Sequence, residues 1–381
     1  MATGDDNKNL TAPIYTDVTQ CLDSSLAVFY YTYGSKPNAL PVRRNQCSMM
    51  PSDLRSGDAG TIELLAMEDQ ELTFAVEADH TNKILRLSFR GSMTSLDWLH
   101  DFNFRMTSVR NPVAKEQPGK LYHVRQTKRC GVHCGFRNYL FGGKQEESTP
   151  VTHSHAATCL APKKLNDKQS CKYDRILRHI SEQHRVYPDY EIQVTGHSMG
   201  GAMATLAAFL LASDGFQVTC ISIASPRIGN GNFVRAFTEL ECAGKIRNLR
   251  VVNSDDVVTA LPDTTYMAFG FGAHLIRQNF YLHTGVCLHM DEKHVPGLFF
   301  PKIRRENHAL YDWTHRTKNL GKRALTLYRL AATNVPETHN PTEYQQRIRD
   351  AETLLKETTW ESLYEQYVPR DSEKKRMDLM S

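Results

Sequence analysis

Apolar positions recur along this chain in two rhythms, a helical one and an alternating one, and the two take turns. After Thr16 and Asp17, residue types suited to capping a helix, Leu22, Leu26, Phe29 and Tyr30 fall on one side of a run to about Tyr33. That spacing predicts an amphipathic helix. Residues 34–58, rich in Pro, Arg, Ser and Gly, read as loop. Strand-like runs follow at Ile62–Met67, Leu72–Ala78 and Lys83–Phe89, and the turn residues Asp79, His80, Thr81 and Asn82 join the last two into a hairpin. Gly91–Phe104 reads as a loop opening into a short helix, 107–131 as polar and irregular, Gly135–Phe141 as helix and 142–170 as a surface insertion.

Further on, helices at Lys172–Arg185, Gly201–Ala212 and Asn232–Leu240 alternate with strands at Ile192–Thr195, Val218–Ala224 and Asn248–Asn253. This alternation, from about residue 80 to 260, predicts an α/β fold with a largely parallel central sheet. Thr264–Met290 is expected to include an edge hairpin, and Arg305–Asn319 to start a helix. Residues 341–368 are helical in pattern but heavily charged, and read as an appendage to the catalytic core. The expected organisation is an N-terminal segment, 1–58, with one helix packing on the core, a main domain at 59–325, and a helical C-terminal extension at 326–381.

Composition narrows the function. With 381 residues and 40% hydrophobic content, the chain is long enough for a sizeable core. A net charge of +4 spread over both signs is too mild to argue nucleic-acid binding. No apolar run approaches the roughly 18 residues of a membrane span. The polar start, Met1 to Leu10, has no apolar signal region, which favours an intracellular location. The nine cysteines are scattered, and a metal site at Cys130, His133 and Cys134 would need further ligands that the sequence does not place. Neither a metal nor an organic cofactor is expected.

The chemistry is concentrated at Gly196-His197-Ser198-Met199-Gly200, where a strand-like run leads in and a small-residue helix leads out. A nucleophile on a strained strand-to-helix turn needs glycines on both sides, because a side chain at Gly196 or Gly200 would meet neighbouring backbone. Ser198 is the candidate nucleophile. It needs a base, an orienting acid and an oxyanion hole, in the chain order serine, acid, histidine. Asp255 and Asp256 follow the strand Leu249–Val252 and compete for the acid role. His283, His289, His294, His308 and His315 compete for the base.

Several ordered segments resemble those of the class 3 lipases, a family related to the filamentous-fungal triacylglycerol lipases. They are Leu87-Ser-Phe-Arg-Gly-Ser92, Ser95-Leu-Asp-Trp-Leu-His-Asp-Phe102, Val132-His-Cys-Gly-Phe136, the elbow at 195–202, Ala224-Ser-Pro-Arg-Ile-Gly-Asn230, Asp256-Val-Val-Thr-Ala-Leu-Pro262, Asn279-Phe-Tyr-Leu-His-Thr-Gly285 and Asn307-His-Ala-Leu-Tyr-Asp-Trp313. Ala224 stands where the family has glycine, Thr259 where proline is common and Trp313 where tyrosine is usual.

The resemblance implies an α/β-hydrolase fold, a central mostly parallel sheet flanked by helices. It selects Asp256 over Asp255, from the Leu261-Pro262 pair that follows it, and His308 over His283, whose segment is structural in the family. It also implies an oxyanion hole from the backbone N–H groups of Ser92 and Met199, and a lid carrying Leu96, Trp98, Leu99 and Phe102. The implied activity is a serine carboxylester hydrolase acting on an acylglycerol or phospholipid, with transient contact to a lipid interface. The alternatives are a phospholipase A1, a small-ester (feruloyl-type) esterase, and a catalytically silent interaction scaffold on the same fold.

Overall fold

The computed structural model describes residues 10–34, 42–43, 61–68, 71–91, 105–113, 129–142, 171–262, 281–291, 294–299 and 337–367. The strands are β1 (Val42–Arg43), β2 (Thr61–Glu68), β3 (Glu71–Asp79), β4 (Ile84–Phe89), β5 (Met106–Arg110), β6 (Arg129–His133), β7 (Glu191–His197), β8 (Val218–Ile223), β9 (Ile246–Asn253), β10 (Val286–Asp291) and β11 (His294–Phe299). The α-helices are α1 (Ile14–Gly34), α2 (Cys134–Phe141), α3 (Lys172–Val186), α4 (Met199–Ser213), α5 (Gly231–Cys242), α6 (Pro341–Asp350), α7 (Glu352–Glu357) and α8 (Trp360–Tyr367).

Among these residues the main sheet has nine strands in the order β1-β2-β3-β4-β7-β8-β9-β10-β11. Its centre, from β4 through β7, β8 and β9 to β10, is parallel, and the flanks are antiparallel. The strand-helix alternation expected from the sequence is the source of the parallel part, since the crossovers from β4 to β7, β7 to β8 and β8 to β9 carry helices back over the sheet.

Both faces are covered, so the central strands are buried on both sides. On one face α2, α3, α4 and α5 pack over Leu87, Phe89, Ile192, Val194, Val218 and Cys220. The helix α4 has small residues at Gly201, Ala202 and Ala204, all buried, and a Cβ added at Gly201 would lie 2.9 Å from the Cβ of Ser225. Phe209 of α4 meets Phe233 of α5 with ring centroids 4.9 Å apart.

On the other face α1 packs with α6, α7 and α8 over Ile221, Ile223, Leu249, Val251, Val286 and Leu288. The two ends of the described chain are tied together there. Ile14 N–H donates to the Thr358 carbonyl (3.0 Å), Glu361 N–H to the Leu10 carbonyl (3.0 Å), and Trp360 Nε1–H to Asp17 Oδ2 (2.8 Å). A polar stripe lies beneath α1. Arg86, fully buried, bonds Gln193 (3.1 Å), Gln20 (2.8 Å), Ser24 and Glu77 (both 3.4 Å), which offsets the cost of taking its charge out of water.

Three expectations are corrected. The segment read as irregular from 107 contains β5, which pairs antiparallel with β6. These strands are five residues each, and Val109, Cys130 and Val132 are the apolar residues they bury, too few to show a clear alternation. The edge hairpin is β10–β11, which runs on to Phe299, past the expected end at Met290, and β10 itself is paired parallel to β9. The C-terminal helices are no appendage, for Tyr344, Ile348, Leu355, Trp360 and Leu363 are all at most 1% exposed in the core. Apart from the buried Arg347, their charges are partly or fully exposed, and that composition masks the buried stripe. The expected helices at 91–104 and 305–319, and nearly all of the 142–170 insertion, lie outside the described residues.

Candidate active site

At the C-terminal end of β7 the chain turns sharply into α4, and Ser198 sits on the turn with φ 60° and ψ −127°. A non-glycine residue in such a conformation costs on the order of 1–3 kcal/mol, and the surroundings must hold it. They do so by contact. A Cβ at Gly196 would come within 2.3 Å of the Gly200 backbone, and one at Gly200 within 2.3 Å of the Phe89 carbonyl oxygen. Ser198 N–H donates to the Ile223 carbonyl at 2.9 Å, which ties the turn to β8. The end of β4 is equally close, since a Cβ on Gly91 would lie 2.9 Å from the His197 carbonyl oxygen.

Asp256 lies just after β9 and is 3% exposed. It caps the short 3-10 turn Val257–Ala260, with Oδ1 accepting from Val258 N–H at 2.9 Å. Its other oxygen, Oδ2, is 2.8 Å from His339 Nδ1. The opposite ring nitrogen, His339 Nε2, is 2.9 Å from Ser198 Oγ. One imidazole therefore joins the buried carboxylate to the serine.

The bridging ring is His339, not the expected His308, which lies outside the described residues. His339 ends the 3-10 turn Glu337–His339, immediately before the Asn340 cap of α6. Because the C-terminal helices pack on the sheet beside β9 and β10, a histidine 83 residues from Asp256 in sequence reaches it in space. The sequence does carry a local signal. Asn340 is a good N-cap, its side chain accepting from Thr342 N–H, and Pro341 stands at the first helical position, so a helix start directly follows His339. His283, the other candidate, places Nε2 2.7 Å from the Thr259 carbonyl and thereby braces the turn after Asp256.

Two further side chains line the site, and of these Tyr344 is one that sequence reasoning does not reach. Tyr344 of α6 donates its hydroxyl to Asp256 Oδ2 at 2.7 Å and accepts from Asn253 N–H at 3.0 Å. Burial, and then the neighbouring Asp256 charge, push this phenol well above its ordinary range, so it stays a donor. His197, read as part of the elbow, is 8% exposed and lies with its ring centroid 4.9 Å from that of His339. Burial, reinforced by the adjacent His339, holds His197 well below the usual histidine range, so it is neutral. Asp255, the rival for the acid role, is paired to Arg347 through Oδ1 at 2.9 Å and Oδ2 at 3.3 Å.

Of the expected oxyanion pair, Met199 is the first residue of α4, where a helix leaves its N–H without an intrahelical partner. Ser92 follows Gly91 but lies outside the described residues, as do Leu96, Trp98, Leu99 and Phe102 of the expected lid. Among the described residues, no helix is long and apolar enough to cross a membrane.

Comparison with known proteins agrees with this architecture. The family model "Lipase (class 3)" matches residues 86–266. The chain is 29% identical over 197 residues to phospholipase A1-IIgamma of Arabidopsis thaliana, covering 48% of this chain and 40% of that one. It is 30% identical over 191 residues to secreted mono- and diacylglycerol lipase 1 of Fusarium solani, covering 50% and 43%. The matched region is thus less than half the length of either relative. Among solved structures, the mono- and diacylglycerol lipase from Aspergillus oryzae superimposes with a TM-score of 0.50 at 21% identity, over 77% of this chain and 89% of that one. The shared fold is the α/β-hydrolase fold, with its central parallel strands flanked by helices.

Proposed function

We propose that this chain, whose residues 86–266 belong to the class 3 lipase family, is a serine carboxylester hydrolase acting on acyl esters of glycerolipids. The observation that carries this reading is the continuous hydrogen-bond path from Asp256 through His339 to Ser198. In it Ser198 is the nucleophile, His339 the general base and then acid, and Asp256 the group that fixes the imidazole tautomer and offsets its developing positive charge. The order Ser198, Asp256, His339 is the one this fold uses.

As Ser198 Oγ attacks the ester carbonyl, its proton passes to His339 Nε2. The carbonyl oxygen becomes an oxyanion, which meets the Met199 N–H and the positive end of α4, with Ser92 N–H as the second donor. Collapse expels the alcohol, which takes the proton from His339 and leaves an acyl group on Ser198. Water, deprotonated by the same ring, then releases the acid. Every proton in this cycle moves through His339.

Glycerolipid substrates follow from the relatives, whose names cover phospholipase A1 and mono- and diacylglycerol lipase activities. The bonded state of all three residues weighs against a silent scaffold, which has no physical reason to hold them in this arrangement. The experiment is hydrolysis of p-nitrophenyl esters and of mixed mono-, di- and triacylglycerols and phospholipids by the wild type and Ser198→Ala. Ester cleavage by the wild type, lost in Ser198→Ala, is the expected result. Equal inactivity of both on every ester would refute the reading.

A further inference from the structure

His339 closes a three-residue 3-10 turn, an element too short to hold its own place. The rigid body attached to it is α6, which begins directly after the Asn340 cap. Two side chains of α6 reach the acid loop, and they stand three residues apart, on one face of the helix. Tyr344 grips Asp256 at 2.7 Å. Arg347 grips Asp255 with both terminal nitrogens, at 2.9 and 3.3 Å, while its Nε donates to Glu343 at 2.7 Å. The Arg347 side chain is 5% exposed against 43% for that of Asp255. A second pair of bonds repeats the connection. Asn253 Nδ2 donates to the Thr338 carbonyl at 2.7 Å, and Thr338 Oγ1 to the Asp255 carbonyl at 3.4 Å.

We propose that the Arg347–Asp255 fork is a positioning pair for the base, locking α6 and the His339 turn in register against the acid loop. Adjacent aspartates are read by residues almost one helical turn apart, so any slide or rotation of α6 that moves His339 from Ser198 also breaks the fork. A planar two-point bond resists such rotation, as a single contact would not. The inference rests on His339 being the base.

Around His339 stand Ser198 and the neutral His197 from the β7 end and Asp256 from the acid loop, and Tyr344 of α6 shares Asp256 Oδ2 with the ring. The fork holds the neighbouring Asp255 from the same face of α6.

The test uses the full chain and its Arg347→Met, Asp255→Asn and double variants. Each is titrated with a fluorophosphonate to count reactive Ser198, then assayed on p-nitrophenyl butyrate. Expected are a kcat per reactive site about tenfold lower in all three, an unchanged KM, and a double variant no slower than either single one, because the two residues act as one bond. A purely structural role would lower the count of reactive sites and leave kcat per site unchanged. A wild type that turns over with variants that match it in kcat per reactive site overturns the positioning pair alone. A wild type that reacts with neither phosphonate nor ester removes the ester-hydrolase reading, and the pair's role with it.

Discussion

Tyr344 Oη and His339 Nδ1 bond the same oxygen of Asp256, at 2.7 and 2.8 Å. The carboxylate is thus held from two directions by donors of one short C-terminal segment. Tyr344→Phe removes one donor and keeps the packing. A hydrogen bond to a charged group contributes about 1.5–3 kcal/mol, so the variant should lose that much stability, and about tenfold in kcat as Asp256 gains freedom. Denaturant unfolding and steady-state kinetics of the same preparation measure both. Unchanged values in each would show that the carboxylate is held without the phenol.

The identity of the base separates two histidines. His339→Ala should lower kcat by about 10⁴ or more, since removing a triad member leaves only binding and the oxyanion donors. His308→Ala should keep activity within a few fold. Loss of activity in His308→Ala with retention in His339→Ala would reverse the assignment.

A pH dependence of stability follows from His197. Its folded-state value lies below that of an exposed histidine, through burial first and the nearby His339 second. The unfolded chain therefore takes up this proton at higher pH than the folded one. The stability it contributes is complete above the unfolded value, near 6.5, and declines as pH falls toward the depressed folded value, by up to about 1.4 kcal/mol per pH unit. His197→Asn should unfold with a flatter dependence between about pH 6.5 and 5. Parallel wild-type and variant curves would count against a neutral buried His197.

The elbow should not accept a methyl group. Gly200→Ala would put a Cβ 2.3 Å from the Phe89 carbonyl oxygen, a backbone atom that can move only with β4. Thermal unfolding should register a loss of several kcal/mol, or no folded protein. Gly231→Ala is the control, since its nearest neighbour would be Leu282 Cδ1 at 3.9 Å, and a helix gains about 0.5–1 kcal/mol from alanine over glycine.

Much of the nucleophile's surroundings is legible in the sequence. The strand into Ser198, the glycines around it and the small residues of α4 are dictated within a dozen or so positions, because steric exclusion on a tight turn acts between neighbours. The hairpin β3–β4 and the alternation behind the parallel strands are equally local, and the family spacing to Leu261 and Pro262 points to Asp256. β5 and β6 leave little trace in the pattern, because each is short and half polar and acquires its partner only by pairing.

The histidine bonded to Ser198 is decided at a longer range. Charged residues such as Arg347, Arg349 and Glu352 make the C-terminal segment read as exposed, yet Tyr344, Ile348 and Leu355 bury against α1 and the sheet. Sequence by itself determined the strained turn that carries Ser198 and the helix that follows it, since those depend on contacts within a few residues. Only the tertiary structure decided that His339 completes the path to Asp256, because packing against α1 and the sheet brings together residues far apart in the chain.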